Sequence, residues 1–65
     1  MRILINGEPR ETGARTLGEL CAALELGGGK IATAVNGTFV PARARDGHRL
    51  HPRDEIEIVS PRQGG

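Results

Sequence analysis

The chain has 65 residues, enough for one small domain, and apolar residues make up 37% of it. Phe39 is the only aromatic residue, so we expect a small aliphatic core with no room for a buried pocket of substrate size, which typically needs roughly 300 Å³ or more. The formal net charge of +1 lacks the basic footprint of a nucleic-acid binder, and no apolar run is long enough to span a membrane. The composition therefore argues against a conventional enzyme and against nucleic-acid or membrane partners.

The N-terminal segment and the cysteine content predict where the protein works. The segment MRILINGEPRE turns polar after five residues, unlike a signal peptide. Cys21 is the only cysteine and cannot form an internal disulfide, which suits a reducing compartment. We expect a cytoplasmic protein.

The first twelve residues predict a β-hairpin. Residues 1–6 are rich in Ile and Leu and predict a strand. Asn6-Gly7 tolerates the positive φ angles of a tight turn, so residues 8–12 should pair back antiparallel. Pro9 lacks an N–H and favours an edge position for this second strand.

A helix is predicted to begin at Thr16. Thr16 and Glu19 have the spacing of a capping box. Gly18 in the first turn should weaken the helix by roughly 1 kcal/mol relative to Ala. Residues 27–29 are three glycines that should end the helix, with Gly27 as a left-handed cap. One apolar stripe follows the helical spacing: Leu17, Leu20, Cys21 and Leu24.

The second half predicts three more strands. Residues 31–36 and Thr38–Val40 flank a second Asn-Gly turn, and residues 42–53 are polar and irregular. Glu55–Val59 alternates, with Ile56 and Ile58 toward the core, and its apolar content places it centrally in the sheet. This order predicts an α+β, ubiquitin-like β-grasp domain over residues 1–59, in which a mixed sheet of four to five strands packs on one helix. Residues 60–65 should form a flexible tail.

Several motifs of this chain resemble the ThiS family, the sulfur carriers of thiamine biosynthesis. The first half contributes an Ile-Asn-Gly hairpin and a Thr-Leu-x-x-Leu helix. The second half carries the other motifs: Ala34-Val35-Asn36-Gly37, Val40-Pro41, Leu50 to Asp54, Glu55 to Val59, and the terminal Gly64-Gly65. The resemblance therefore covers essentially the whole chain.

The resemblance implies a protein co-substrate rather than an enzyme, with no bound cofactor. An E1-like enzyme of the ThiF or MoeB type would use ATP to adenylate the carboxylate of Gly65. Sulfur from a cysteine-desulfurase persulfide would then give a thiocarboxylate, and a thiazole synthase of the ThiG type would accept that sulfur. A carrier must dissociate and dock again, so we expect a monomer that forms transient complexes.

The composition of the tail suits threading into a partner's active site. Gly64 and Gly65 have no Cβ and can pass a narrow channel. Pro61 stiffens the start of the tail, Arg62 can pair with acidic groups at the channel mouth, and Gln63 lies between them and the glycines.

Two positions depart from the family pattern. Ala42 intervenes between Val40-Pro41 and Arg43, where family members often have Arg directly after the proline. Arg53 precedes Asp54, where a glycine is usual, and Arg tolerates positive φ poorly. The second departure puts the geometry of this turn in question.

A docking surface is a further hypothesis. Leu4 alternates with Ile3 and Ile5, so Leu4, Phe39 and Val59 can lie on the sheet face that the helix leaves open. Such an apolar patch would contact the activating enzyme and the synthase. The alternative is that Phe39 helps to fill the core.

Other residues with functional chemistry favour structural interpretations. Cys21 on the apolar stripe favours a core position over a redox role. His48 and His51 have no companion ligands nearby in sequence, so no metal site is predicted. Residues 27–30, Gly-Gly-Gly-Lys, lack the spacing of a phosphate loop and favour a flexible connection. The arginines from Arg43 to Arg53 favour a solvated loop, with contact to a partner as the alternative.

Other functions stay open on sequence alone. The same carrier chemistry can serve molybdopterin synthesis or a cysteine-forming pathway. A β-grasp binding module of the TGS type would need no Gly-Gly terminus, and a free-standing enzyme has no catalytic constellation to support it.

Overall fold

The computed structural model describes residues 1–26 and 30–60. These residues form five strands and one α-helix: β1 (Arg2–Ile5), β2 (Glu8–Glu11), α1 (Leu17–Ala23), β3 (Ala32–Val35), β4 (Thr38–Val40) and β5 (Glu55–Val59). A 3₁₀ helix at Ala42–Gly47 connects β4 toward β5. The prediction of an irregular segment over residues 42–53 is therefore wrong for its first half.

The five strands form one mixed sheet in the order β2-β1-β5-β3-β4. β5 lies at the centre, parallel to β1 and antiparallel to β3, which confirms its predicted position. β2 is an edge strand, which suits Pro9 because its nitrogen has no hydrogen to donate to a neighbouring strand. β4 is the opposite edge.

Both predicted hairpin turns form. Asn6 and Gly7 have φ angles of 51° and 86°, and Asn36 and Gly37 have 51° and 85°. Two successive positive φ angles define the mirror-image turn whose twist matches antiparallel strands. Asparagine and glycine tolerate this conformation better than other residues, so the local sequence determines both turns.

The start of α1 follows the predicted capping pattern. Thr16 Oγ1 accepts a hydrogen bond from the Glu19 N–H at 3.1 Å. The Glu19 carboxylate reaches back and accepts from the Arg15 N–H at 2.7 Å, one residue before the cap. Both bonds satisfy donors that would otherwise lack partners near the helix start.

The end of α1 differs from the prediction. The left-handed residue is Glu25, with a φ of 62°, so the expected cap at Gly27 is wrong; Gly27 itself lies outside the described residues. The N–H of Leu26 donates to the Cys21 carbonyl at 2.8 Å, and the N–H of Glu25 donates to the Ala22 carbonyl at 3.0 Å. These two bonds are those of a Schellman motif, which ends the helix before the glycines begin.

The turn before β5 forms although Arg53 occupies the usual glycine position. Arg53 adopts a φ of 74°. Its N–H donates to the Arg2 carbonyl at 2.7 Å, which ties the turn to β1. Arginine at this position therefore takes the backbone conformation that glycine favours, and the turn keeps its geometry.

The core lies between α1 and one face of the sheet. Leu17, Leu20 and Cys21 of the predicted stripe are buried, and Leu24 packs against them at the margin. From the sheet, Ile3 and Ile56 are buried and Ile58 is partly buried. The core residues, all aliphatic or cysteine, are Ile3, Ala14, Leu17, Leu20, Cys21, Val35, Val40, Leu50 and Ile56. One helix on a five-stranded mixed sheet is the predicted ubiquitin-like β-grasp.

Within residues 1–26 and 30–60, no helix has the length and apolar character needed to cross a membrane.

Candidate functional site

The outer face of the sheet, opposite α1, carries the three apolar residues proposed for docking. Leu4, Phe39 and Val59 come from three different strands and line one surface depression. Phe39 is 65% exposed and Val59 is 58% exposed, whereas Leu4 is half-buried. Phe39 therefore does not fill the core, and the alternative reading of that residue is wrong.

This depression is a shallow groove of about 560 Å³ across β4, β3, β5 and β1. We call it the outer groove and define it by Leu4, Ala32, Ala34, Phe39, Glu57 and Val59. Ala34 pairs with Phe39 on one side and with Glu57 on the other, and Ala32 pairs with Val59. Because Ala32 and Ala34 are small, they form a floor between larger side chains on the flanking strands.

Asn6 holds β5 from the side of β1. Its side-chain Oδ1 accepts from the Ile58 N–H at 2.9 Å, and its Nδ2 donates to the Ile58 carbonyl at 3.1 Å. The backbone N–H of Asn6 donates to the Ile56 carbonyl at 2.8 Å. The amide thus continues the pairing with β5 after the β1 backbone has turned away.

Asn36 holds β5 from the side of β3. Its Oδ1 accepts from the Glu55 N–H at 2.9 Å, and its backbone N–H donates to the Glu55 carbonyl at 2.7 Å. Its Nδ2 donates to Asp54 Oδ1 at 2.9 Å. Sequence reasoning treated both asparagines only as turn residues and missed these roles. One sequence feature indicates these roles: asparagine is the first residue of both Asn-Gly turns, and its side-chain amide can both donate and accept a hydrogen bond.

Arg45 fastens the 3₁₀ helix to β3. Its Nε donates to Thr33 Oγ1 at 3.0 Å, and its Nη2 donates to the Ile31 carbonyl at 2.8 Å. Thr33 is buried and donates its hydroxyl to the Val40 carbonyl at 2.7 Å. The expectation of a solvated loop is therefore wrong for Arg45, which is half-buried and structural.

Cys21 lies in the core, as predicted. Burial raises the pKa of its thiol, and the positive charge of Arg45 opposes part of this increase. A buried thiol with a raised pKa is a poor nucleophile at neutral pH.

The histidines form no metal cluster within the described part of the chain. His51 is exposed, with its Nδ1 3.9 Å from Asp54 Oδ2, and His48 is half-buried. The glycines of residues 27–29 lie outside the described residues, so the predicted flexible connection there stays a prediction.

The sequence-predicted tail also lies beyond the described chain. Pro61, Arg62, Gln63, Gly64 and Gly65 are not described, and Ser60 is the last residue that is. The outer groove ends at Val59, so the predicted tail follows it directly in the chain.

Comparison with known proteins decides the family. The model of the ThiS family matches residues 3–65. The chain belongs to the ThiS family. The crystal structure of a thiamine biosynthesis protein, ThiS, from Geobacter metallireducens matches this fold with a TM-score of 0.80 and 28% sequence identity, covering 100% of both chains. Among curated proteins, none matches the chain.

Membership in the ThiS family confirms the resemblance indicated by the sequence motifs. The family model covers both Asn-Gly turns, β1 from Ile3 onward, the other four strands and the terminal Gly64-Gly65. The ThiS family places this chain among the sulfur carriers of thiamine biosynthesis.

Proposed function

We propose that the protein carries sulfur as a thiocarboxylate on Gly65 and supplies it for thiazole formation in thiamine biosynthesis. The family match supports this most directly, because it extends through residue 65 and so includes the Gly-Gly end together with the folded domain. In this role the chain is a co-substrate of its partners rather than an enzyme.

The chemistry requires activation because a terminal carboxylate, with a pKa near ~3.5, is an anion at neutral pH and a poor electrophile. An E1-like enzyme of the ThiF or MoeB type would convert the Gly65 carboxylate to an acyl adenylate with release of pyrophosphate from ATP. Attack by a cysteine-desulfurase-derived persulfide expels AMP, and reduction of the acyl disulfide by a second thiol leaves the thiocarboxylate. A thiazole synthase of the ThiG type is the proposed acceptor.

The outer groove is the proposed docking surface for these enzymes. Leu4, Phe39 and Val59 lie together on it, and an exposed apolar surface of this kind is typical of a protein interface. Six residues follow Val59 in the sequence and span at most about 20 Å when fully extended. That length allows Gly65 to enter an active site while the sheet stays docked, with Gly64, Gln63, Arg62 and Pro61 in the channel.

Mass spectrometry of the tail tests the proposal. The full chain is incubated with ATP, an E1-like enzyme and a persulfide donor, then cleaved after Glu57 so that residues 58–65 are released as one peptide. Exchange of one oxygen for sulfur should appear in this peptide, and a variant lacking Gly65 is the matched control. Cleavage at this point separates the tail from Met1 and Cys21, whose oxidation adds a similar mass.

Each result points to a definite function. Sulfur in the wild-type peptide that is absent from the Gly65 deletion supports the carrier, and transfer to a thiazole synthase in preference to a molybdopterin synthase supports the thiamine pathway. No sulfur at Gly65 with any activating enzyme of this type would contradict the proposal and favour a binding module.

A further inference from the structure

We propose that the outer groove receives an arginine side chain of the activating enzyme, held between the Phe39 ring and the Glu57 carboxylate. This inference rests on the proposed function and specifies the chemistry of its partner. The arginine would lie across the Ala34 methyl group.

The strand register places the three residues in one row. Ala34 on β3 is directly opposite Glu57 on β5 and directly opposite Phe39 on β4. Neighbouring strands are about 4.8 Å apart, so the strands carrying Phe39 and Glu57 are separated by roughly 10 Å. Because Ala34 extends only one methyl group above the sheet, a slot as wide as one planar side chain remains between them.

The two walls of this slot have the chemistry that arginine recognises. A guanidinium group stacks flat on an aromatic face and pairs in a bidentate manner with a carboxylate. Lysine is a compact, strongly hydrated charge and makes neither contact as well. An aliphatic side chain could cover Phe39 but would leave the Glu57 carboxylate desolvated and unpaired.

The charge at the Phe39 end of the groove favours a cationic occupant. Glu57 faces outward from β5 on the groove side of the sheet, whereas Glu55 shares a second depression with Arg2 and Arg53. Glu57 forms no ion pair with any residue of the chain as far as it is described. The Glu57 carboxylate thus lies beside the exposed Phe39 ring, in the groove that adjoins the tail. This pairing is complementary to a cationic side chain on the enzyme that must bind the tail.

The first test uses an activating enzyme that forms the thiocarboxylate on the wild-type chain. The KM for the carrier is measured by ATP–pyrophosphate exchange for wild type, Glu57→Gln, Phe39→Leu and the control Glu8→Gln. Glu8 is exposed on β2, outside the groove, and loses the same charge. Glu57→Gln should raise KM about tenfold with kcat unchanged and weaken its salt dependence, while Glu8→Gln should change KM less than about twofold.

A second test needs no enzyme. The full chain is titrated with N-acetyl-arginine amide and, separately, with N-acetyl-lysine amide, and backbone amide shifts are followed by NMR. Arginine should shift Ala34, Phe39 and Glu57 more than lysine does, and Glu57→Gln should abolish the difference. Circular dichroism of each variant verifies that the domain is folded.

Three outcomes would overturn the inference. The first is equal KM values for Glu57→Gln and Glu8→Gln. The second is equal amide chemical-shift changes with the lysine and arginine ligands. The third is that Glu57→Gln no longer raises KM when Arg62→Ala is also present. The last would mean that the chain's own Arg62 occupies the slot. If Gly65 of the wild-type chain never gains sulfur, the proposed function fails, and the arginine titration still decides whether the slot binds a guanidinium group.

Discussion

Asn36 donates a hydrogen bond from Nδ2 to Oδ1 of Asp54 at 2.9 Å, and this amide–carboxylate pair determines how the chain enters β5. Asp54 is buried, and its other oxygen, Oδ2, accepts from the His51 N–H at 2.8 Å. Asn36 Oδ1 accepts from the N–H of Glu55, the first residue of β5. A turn residue of one hairpin thus fixes the start of the central strand.

Removing this amide should cost more than removing its counterpart in the first hairpin. Asn6 and Asn36 have the same φ of 51°, and each side chain makes two hydrogen bonds to the β5 region. Asn36→Ala also leaves the Asp54 carboxylate buried without that donor, whereas Asn6→Ala leaves only backbone groups at the sheet surface. We expect urea unfolding to show Asn36→Ala less stable than Asn6→Ala by about 1 kcal/mol or more. Equal losses would mean that the Asp54 contact contributes nothing.

Arg53→Gly should stabilise the protein. Arg53 has a φ of 74°, which costs a residue with a Cβ more than it costs glycine. The gain is reduced by the greater entropy of glycine in the unfolded chain, so we expect up to about 1 kcal/mol. Thermal and urea unfolding measure this change. The control is Arg49→Gly, because Arg49 is also exposed but does not have a positive φ. This control variant should lose stability. A loss of stability in Arg53→Gly as well would contradict the prediction.

Gly18→Ala should destabilise the protein although Ala is the better helix former. A Cβ at position 18 would overlap Oδ1 of Asp46 and would lie 3.0 Å from its Cγ and 3.1 Å from its Cα. The exposed Asp46 carboxylate can turn away but the Asp46 Cα cannot, so the close approach of α1 to the 3₁₀ helix favours glycine. We expect a net loss of about 1 kcal/mol after the gain in helix propensity is subtracted. Chemical denaturation of Gly18→Ala, Asp46→Ala and the double variant measures the coupling. The loss should be smaller in the Asp46→Ala background, because part of the overlap is then removed.

Exposed helix positions provide the reference for this comparison. Ala22 and Ala23 are exposed, and changing either to Gly should cost about 0.5–1 kcal/mol from helix propensity alone. A stabilising Gly18→Ala would show that propensity outweighs the contact with Asp46.

Stability should fall in alkaline solution through the buried thiol. Burial raises the pKa of Cys21 above its ordinary value of 9.0, so the folded protein keeps this proton at a pH where the unfolded chain releases it. The unfolded state then binds fewer protons, and the free energy of unfolding decreases as pH rises above about 9 toward the folded-state pKa. Below that range the contribution is constant.

Cys21→Ala isolates this effect. The variant should be less stable at pH 7 because it loses buried volume, and it should show a smaller decrease in stability between pH 8 and 10 than the wild type. Urea titrations at each pH measure both quantities. Parallel pH profiles would contradict the assignment to Cys21. Iodoacetamide should also label native Cys21 much more slowly than the unfolded chain at the same pH.

Much of the fold follows from local sequence. Asn6-Gly7 and Asn36-Gly37 define two turns because few other residues adopt two successive positive φ angles cheaply. The Leu17 to Leu24 stripe and the alternation of Glu55–Val59 indicate which faces are buried. By contrast, the predicted cap at Gly27 is wrong, because α1 ends at Ala23 and the left-handed position of the Schellman motif falls on Glu25, which local sequence does not favour there.

The sequence by itself determined the element order, the family motifs and the Gly-Gly end on which the carrier proposal rests. Short-range preferences and periodic burial encode these features within a few residues. Only the tertiary structure decided that Asn6 and Asn36 hold β5, that Arg45 binds β3, and that Phe39 lies across Ala34 from Glu57. Those relations join residues far apart in the chain, and they exist only once the strand register fixes which side chains become neighbours.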